Sequence, residues 1–149
     1  MSASSGPASL LLDAETTELP RLRAWLEQLG HEHQLGTELL YRLTFCAEEL
    51  VTNIIMHGYG PEAHGSIRVR LDTAGSGAEL TIEDDGRPFD PTAIPPPKKA
   101  RSLEEAPIGG LGLHMVRQSS SRMEYRRLGG MNHVMILFCS SPAQAGPTG

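Results

Sequence analysis

A two-layer α/β sandwich, with a mixed, largely antiparallel sheet and helices on one face, is the fold class this sequence predicts. Three observations point to it. Two early stretches space their apolar residues as helices do. Two pairs of alternating stretches are each joined across a short glycine-containing turn. The chain has 149 residues, enough for one real core and too few for two ordinary domains. The elements read β-α-α-β-β-lid-α-β-β, and hairpins in the middle and at the end imply mostly antiparallel neighbours. A single domain over 1–149 is expected, with its core over 9–139, a lid over 87–108 and a frayed tail over 140–149.

Each element has its own signal. Ser9-Leu10-Leu11-Leu12 is a short apolar run and reads as a strand. From Thr16 to Gly30 the residues Leu19, Leu22, Trp25, Leu26 and Leu29 follow helical spacing, and Gly30 is expected to stop the run. Trp25 is most simply a core residue. A second helix is predicted from Gly36 to His57, with Leu39, Leu43, Leu50 and Ile54 in one stripe and Gly58-Tyr59-Gly60-Pro61 as its end. Ile67, Val69 and Leu71 then alternate with Arg68, Arg70 and Asp72. Across the turn Ala74-Gly75-Ser76-Gly77, Leu80 and Ile82 alternate with Thr81 and Glu83. That is a hairpin with one wet face.

Gly86 to Gly110 holds Pro88, Pro91, Pro95, Pro96, Pro97 and Pro107 and few apolar residues. A loop of this length in a compact domain is usually a lid, a binding loop or disorder. Pro95-Pro96-Pro97 can be read as a polyproline ligand, but a stiff lid segment is the simpler reading. A third helix opens at Gly110 with Leu111, Leu113, Met115 and Val116. Strands over Arg122–Arg127 and Met131–Phe138 flank the turn Gly129-Gly130.

Composition excludes several classes. The net charge of -5 argues against a nucleic-acid binder, which needs a basic patch to displace counterions. It leaves room for a nucleotide, because a metal ion and backbone N–H groups offset phosphate charge locally. Cys46 and Cys139 lie in apolar runs without metal-ligand spacing, so both read as reduced, buried, structural residues. Met1 to Pro7 has no basic stretch leading into an apolar one, and no apolar run approaches the ~20 residues of a membrane helix. A cytoplasmic location with no membrane partner is the expectation. His31, His33 and His64 fall in turn-like stretches and read as surface residues, while His57 and His114 read as packing or capping groups rather than metal ligands.

Three segments carry candidate chemistry. Glu48-Glu49-Leu50-Val51-Thr52-Asn53 sits on the second helix, where Glu49 and Asn53 are one turn apart on a face beside the core stripe. Taken alone, this favours a solvated helix edge. Glu83-Asp84-Asp85-Gly86-Arg87-Pro88-Phe89-Asp90 comes where the chain leaves the sheet. A carboxylate at a strand end accepts a hydrogen bond from a ligand amino group, and a following glycine lets backbone come close; taken alone, a turn is the simpler reading. Pro107-Ile108-Gly109-Gly110-Leu111-Gly112-Leu113-His114 opens the third helix. Free N–H groups and the helix dipole favour phosphate there, although a structural bend also accounts for a glycine run. Gly112 inside a helix costs about 1 kcal/mol against alanine, which calls for a packing or ligand reason.

Together, in this order, the three segments resemble the N box and the two glycine boxes of the GHKL (histidine-kinase-like) ATPases. Glu-Glu-Leu-Val-Thr-Asn-Ile-Ile-Met-His-Gly-Tyr and Gly-Gly-Leu-Gly-Leu-His-Met-Val-Arg are similar, within that superfamily, to the bacterial anti-sigma-factor serine/threonine kinases. The resemblance runs from about Leu10 to Phe138 and implies the Bergerat ATP-binding fold. It also implies roles by position. Asn53 would ligate the Mg2+ that bridges the phosphates of ATP, and Glu49 would be the general base for an attacking serine hydroxyl. Asp84 would accept the adenine amino group, with Gly86 giving room beside the ring. Gly110, Leu111, Gly112 and Leu113 would let the phosphates reach the start of the third helix. The implied partners are a STAS-domain anti-anti-sigma protein, which is the phosphoacceptor, and a sigma factor or other regulatory protein held by the kinase; a homodimer is also compatible.

The sequence departs from that family at two places. An arginine common before the second glycine box is Ile108 here, and a threonine common on the last strand near adenine is replaced around Asn132-His133. Lys98, Lys99 and Arg101 could supply the positive charge, or could be solvated surface. The departures leave a second reading open: a nucleotide-loaded switch that sequesters a partner without transferring phosphate. A third, the catalytic domain of a sensor histidine kinase, is weakened by the absence of a phosphoacceptor helix hairpin before Leu10.

Overall fold

The computed structural model describes residues 7–60, 64–74, 77–93 and 110–139. Five strands form one sheet: β1 (Ala8–Asp13), β2 (Ser66–Ala74), β3 (Gly77–Asp84), β4 (Arg122–Leu128) and β5 (Met131–Cys139). Their spatial order is β1-β2-β3-β5-β4, and every pairing is antiparallel. Helices α1 (Leu19–Glu32), α2 (Thr37–Gly58) and α3 (Gly110–Ser119) complete the two-layer sandwich, as the patterning predicts.

Strict alternation builds the sheet's inner face. On β3, Ala78, Leu80, Ile82 and Asp84 point inward; on β5, Asn132, Val134, Ile136 and Phe138 do. The register sets them opposite one another, Ala78 against Phe138, Leu80 against Ile136, Ile82 against Val134 and Asp84 against Asn132. The apolar pairs pack under Leu22, Leu26, Leu43, Leu50, Val51 and Ile54 from α1 and α2, all 2% exposed or less. Each buried leucine contributes roughly 1.5–3 kcal/mol by leaving water. The outer face is polar, and Glu83 gathers Arg68, Arg70 and His133 across three strands at 4.0, 3.8 and 3.2 Å. Partly exposed pairs of this kind add little stability.

The sequence predicts that Gly30 ends the first helix, and the structure corrects this. A 3₁₀ turn over Thr16–Glu18 leads into α1, which runs through Gly30 to Glu32, and the chain reverses at Gln34 with φ 56°. Gly30 is buried, and a Cβ there would stand 2.8 Å from Leu40 Cδ2. Its role is to let α1 and α2 approach, which outweighs its weakness as a helix former. Trp25 packs half-buried against the core. Cys46 is fully buried, and burial pushes its thiol up to about 12. Cys139, expected inside, is exposed, because Phe138 before it points inward and successive strand residues face opposite ways. The turn Gly129-Gly130 has φ of 57° and 77°, the left-handed pair that a two-residue hairpin of matching twist requires.

No helix is long and apolar enough to cross a membrane among the described residues. Most of the expected lid, residues 94–108, and the tail, 140–149, lie outside them. A core test follows from the packing. Leu43→Ala removes a side chain with 0% exposure and is expected to lower the unfolding free energy by about 2–5 kcal/mol, measured by urea denaturation with an unchanged m value.

Candidate functional site

The last turns of α2, the end of β3 and the start of β5 meet in one place. On α2 the two neighbouring glutamates are used differently. Glu48 is bound by Arg23 of α1, which donates from Nε and Nη2 at 2.6 and 2.7 Å. Glu49 is half-buried, and its carboxylate has no hydrogen-bond or ion-pair partner among the described residues. One turn on, Asn53 is 3% exposed and its Nδ2 donates to the Glu49 carbonyl at 2.7 Å. That bond fixes the amide along the helix, and Oδ1 accepts no hydrogen bond among the described residues. The exposed His57 ring stacks on Phe89, with centroids 4.9 Å apart and planes at 19°.

At the end of β3, Asp84 occupies the place where alternation would put one more core residue. It is 1% exposed, and a buried charge must be hydrogen-bonded to be tolerated. Oδ2 accepts from Gly86 N–H at 2.9 Å and from Asn132 Nδ2 at 3.0 Å, while Oδ1 has no partner among the described residues. Burial raises the Asp84 carboxyl above its ordinary value, and the Asn132 and Gly86 donors oppose this. Its neighbour moves the other way. The Tyr59 hydroxyl donates to Asp85, which holds that carboxyl below its ordinary value.

The chain then passes tight against the end of α2. Arg87 N–H donates to the Gly58 carbonyl at 3.0 Å. A Cβ on Gly86 would lie 2.5 Å from that carbonyl oxygen and 3.0 Å from Asp84 Oδ2. Gly86 is therefore required by the backbone contact itself, a reason that the sequence pattern did not supply. The opening of the expected lid is also better anchored than its composition implies. Phe89 packs against the core, Pro91 is buried, and Arg117 of α3 donates to the carbonyls of Pro91 and Thr92.

Of the residues singled out by sequence, Asp84, Gly86 and the end of α2 are brought into contact, with Glu49 and Asn53 on the turns of α2 leading to that end. Gly110, Leu111, Gly112 and Leu113 form the first turn of α3, which packs against α2; their side chains, and Ile108, Lys98, Lys99 and Arg101, lie outside the described residues. Sequence reasoning did not find Tyr125, Arg127 or Arg117, and noticed Asn132 only as a departure. The roles of Asn132, Tyr125 and Arg127 depend on the pairing of β5 with β3 and β4, and that of Arg117 on α3 lying beside the turn at Pro91 and Thr92. A groove of about 380 Å³ between α1 and α2, lined by Arg23, Tyr41, Phe45 and Glu48 among others, lies to the Glu48 side and includes neither Glu49 nor Asp84.

The donor set suits an adenine nucleotide. Asp84 Oδ1 is a recessed acceptor beside a glycine-built seam, and Asn53 Oδ1 is a hard oxygen of the kind Mg2+ takes. No cluster of three His, Cys, Asp or Glu that could hold a metal occurs among the described residues. Magnesium bound by one or two protein oxygens draws its other ligands from phosphates and water.

The family described as histidine kinase-like ATPase domain matches residues 12–138. The chain belongs to that family. The GHKL resemblance is thus borne out. The serine/threonine-protein kinase BtrW of Bordetella bronchiseptica is 32% identical over 139 residues, covering 93% of this chain and 98% of that one. Two solved structures share the fold at lower identity. A Mycobacterium tuberculosis protein solved as its RsbU and RsbW domains superposes with a TM-score of 0.66 at 19% identity, over 92% of this chain and 33% of that one. The blue-light activated histidine kinase EL346 of Erythrobacter litoralis gives 0.56 at 18%, over 87% and 43%. The chain thus spans a third to less than half of those two proteins.

Within this histidine kinase-like site the two adjacent carboxyls should titrate apart. A carboxyl raised in the folded state binds its proton more tightly there, so Asp84 contributes stability that declines as pH rises through its folded value. Asp85, lowered, contributes stability that is lost as pH falls through its own. Carboxyl-carbon NMR titration is expected to place Asp84 above the ordinary 3.8 and Asp85 below it. Asp84→Asn is expected to gain stability over wild type at neutral pH, and to lose that gain on acidification.

Proposed function

We propose that the chain is an ATP-dependent protein serine kinase acting as an anti-sigma regulatory factor. It phosphorylates a small STAS-domain antagonist and, in the unphosphorylated antagonist's absence, sequesters a sigma factor or a similar regulatory protein. The observation that carries the reading is the division of labour on α2. Glu48 is committed to Arg23, whereas among the described residues neither the Glu49 carboxylate nor, one turn on, the Asn53 Oδ1 has a partner. Family membership and the relative named a serine/threonine-protein kinase support it.

ATP with magnesium supplies the transferable phosphoryl group and neutralises its charge. Asn53 Oδ1 would hold the metal, and Asp84 Oδ1 would accept the adenine amino hydrogen. The helix start at Gly110–Leu113 offers N–H groups to phosphate. Glu49 takes the proton from the acceptor serine hydroxyl as its oxygen becomes the nucleophile. Phosphoryl transfer is mostly positioning and charge neutralisation, so one base and one metal ligand are a sufficient protein contribution. The rival reading, a non-catalytic switch, draws on Ile108 where kinases of the family often carry arginine. Incubation with Mg-ATP and a candidate antagonist, followed by intact-mass analysis of both proteins, separates the two: a phosphate added to the antagonist supports the kinase, and none on a partner that binds supports the switch.

Two further outcomes are expected. Calorimetry should give magnesium-dependent ATP binding, with GTP at least ~10-fold weaker, because guanine sets a carbonyl against the Asp84 carboxylate and leaves an acceptor unpaired at about 1–3 kcal/mol. Asp84→Asn should weaken ATP binding in a protein that still folds, and equal affinities for ATP and GTP would exclude this role for Asp84.

Glu49→Gln should slow transfer to the antagonist by ~10² to 10⁴ with nucleotide affinity nearly unchanged, because a base acts in the transition state. Asn53→Ala should weaken Mg-ATP binding as well as transfer. A Glu49→Gln protein that transfers at the wild-type rate would remove Glu49 as the base.

A further inference from the structure

Asn132 stands opposite Asp84 in the β3–β5 register, at the head of the inward row that continues through Val134, Ile136 and Phe138. It is 1% exposed, and both ends of its amide are engaged. Nδ2 donates to Asp84 Oδ2 at 3.0 Å and to the Arg87 carbonyl at 2.9 Å. Oδ1 accepts from the Tyr125 hydroxyl and from Arg127 Nη1 at 3.1 Å, with Phe89 N–H at 3.5 Å. Arg127 Nη1 also donates to the Gly86 carbonyl at 2.9 Å, tying the same guanidinium to the seam.

These partners permit one orientation of the amide. Turned over, its NH₂ would face a guanidinium and an N–H, and its oxygen would face a carboxylate and a carbonyl. A donor therefore always points at Asp84. With Oδ2 held by Asn132 and Gly86, the carboxylate cannot rotate without breaking two hydrogen bonds in a desolvated place, where each is costly to lose. Among the described residues Oδ1 is left as the one oxygen of this carboxylate without a donor.

We propose that Asn132 is a positioning residue for base recognition: its amide, oriented by Tyr125 and Arg127, locks Asp84 so that one carboxylate oxygen reads the exocyclic amino group of a purine. The inference rests on the nucleotide-site reading above and deepens it, because it assigns part of the site's selectivity to a residue that acts through Asp84. The charged or titratable groups that face Asp84 among the described residues are Asp85 beside it, Tyr59 just after α2 and Arg127 from β4. None of them offers a donor to Oδ2, so the Asn132 side-chain contact has no substitute.

The test compares ATP with purine riboside 5′-triphosphate, which lacks only the 6-amino group. The ratio of the two affinities cancels the phosphate and magnesium contributions. Calorimetry from about pH 6 to about pH 9 should give a wild-type ratio of at least ~10 that stays flat. Asn132→Leu should bring the ratio close to one at every pH. Asn132→Asp keeps the acceptor for Tyr125 and Arg127 and replaces the donor that faces Asp84 and the Arg87 carbonyl with an oxygen. At the acid end the introduced carboxyl carries a shared proton and donates it to Asp84; when that proton leaves, two carboxylates face each other. Its ratio should therefore fall as pH rises.

A purely structural role would weaken both nucleotides together and leave the ratio and its pH profile as in wild type, which would overturn the proposal. Should Asn132→Leu fail to fold, Asn132→Asp decides alone: a ratio below the wild-type value at the alkaline end supports the proposal, and a ratio equal to wild type at every pH overturns it. A wild-type ratio near one would instead overturn the reading of Asp84 itself, and with it this inference, so the two failures are told apart by the unmodified protein.

Discussion

The site depends on a carboxylate standing where the core would otherwise continue. Three inward positions of β3 are apolar and the fourth is Asp84, so the strand's own alternation carries a charge to the edge of the desolvated interior. Such a group is stable there only with donors aimed at it. One comes from the backbone two residues on, at Gly86, and the other from Asn132 across the sheet. The tight turn after β3, the inward polar residue at the start of β5 and the guanidinium above them can all be traced to that one requirement.

The second constraint is closeness of backbone. Gly58 at the end of α2 and Gly86 after β3 approach until a methyl group on Gly86 would overlap a carbonyl oxygen. This seam sets the height of α2 over the sheet and so the position of Glu49 and Asn53 relative to Asp84. At the other end of the helix pair, Gly30 against Leu40 lets α1 lie close to α2. Arg23 of α1 can then reach Glu48. A pair that exposed contributes little to stability. Its effect is to commit one of two adjacent glutamates and leave the other available.

Much of the architecture was legible in the chain. Periods of 3.6 and 2 residues marked α1, α2, β2 and β3, because burying one face of an element demands them, while an apolar run marked β1, a glycine cluster opened α3, and the Gly129-Gly130 turn placed β4 and β5. Boundaries were less legible. Gly30 has the chemistry of a helix stop and serves as a packing notch, and nothing local distinguishes the two uses. Cys139 sits in an apolar run but faces outward, since its side is decided by the register of β5 against β3. Phe89 looked like part of an unanchored loop until the end of α2 presented His57 to it.

The sequence by itself determined the element order, the apolar faces and the three motifs whose resemblance led to the histidine kinase-like family. These are properties of neighbours along the chain, where spacing translates directly into a shared face. Only the tertiary structure decided which oxygen of Asp84 is held by donors, that Glu48 is spent on Arg23, and that Asn132 supplies the donor opposite Asp84. Each of these turns on groups 25 to 48 positions apart in the chain, brought to within about 3 Å by strand pairing and helix packing. Hydrogen bonds act over that distance and no further, so the chemistry of the site appears only when the fold closes it.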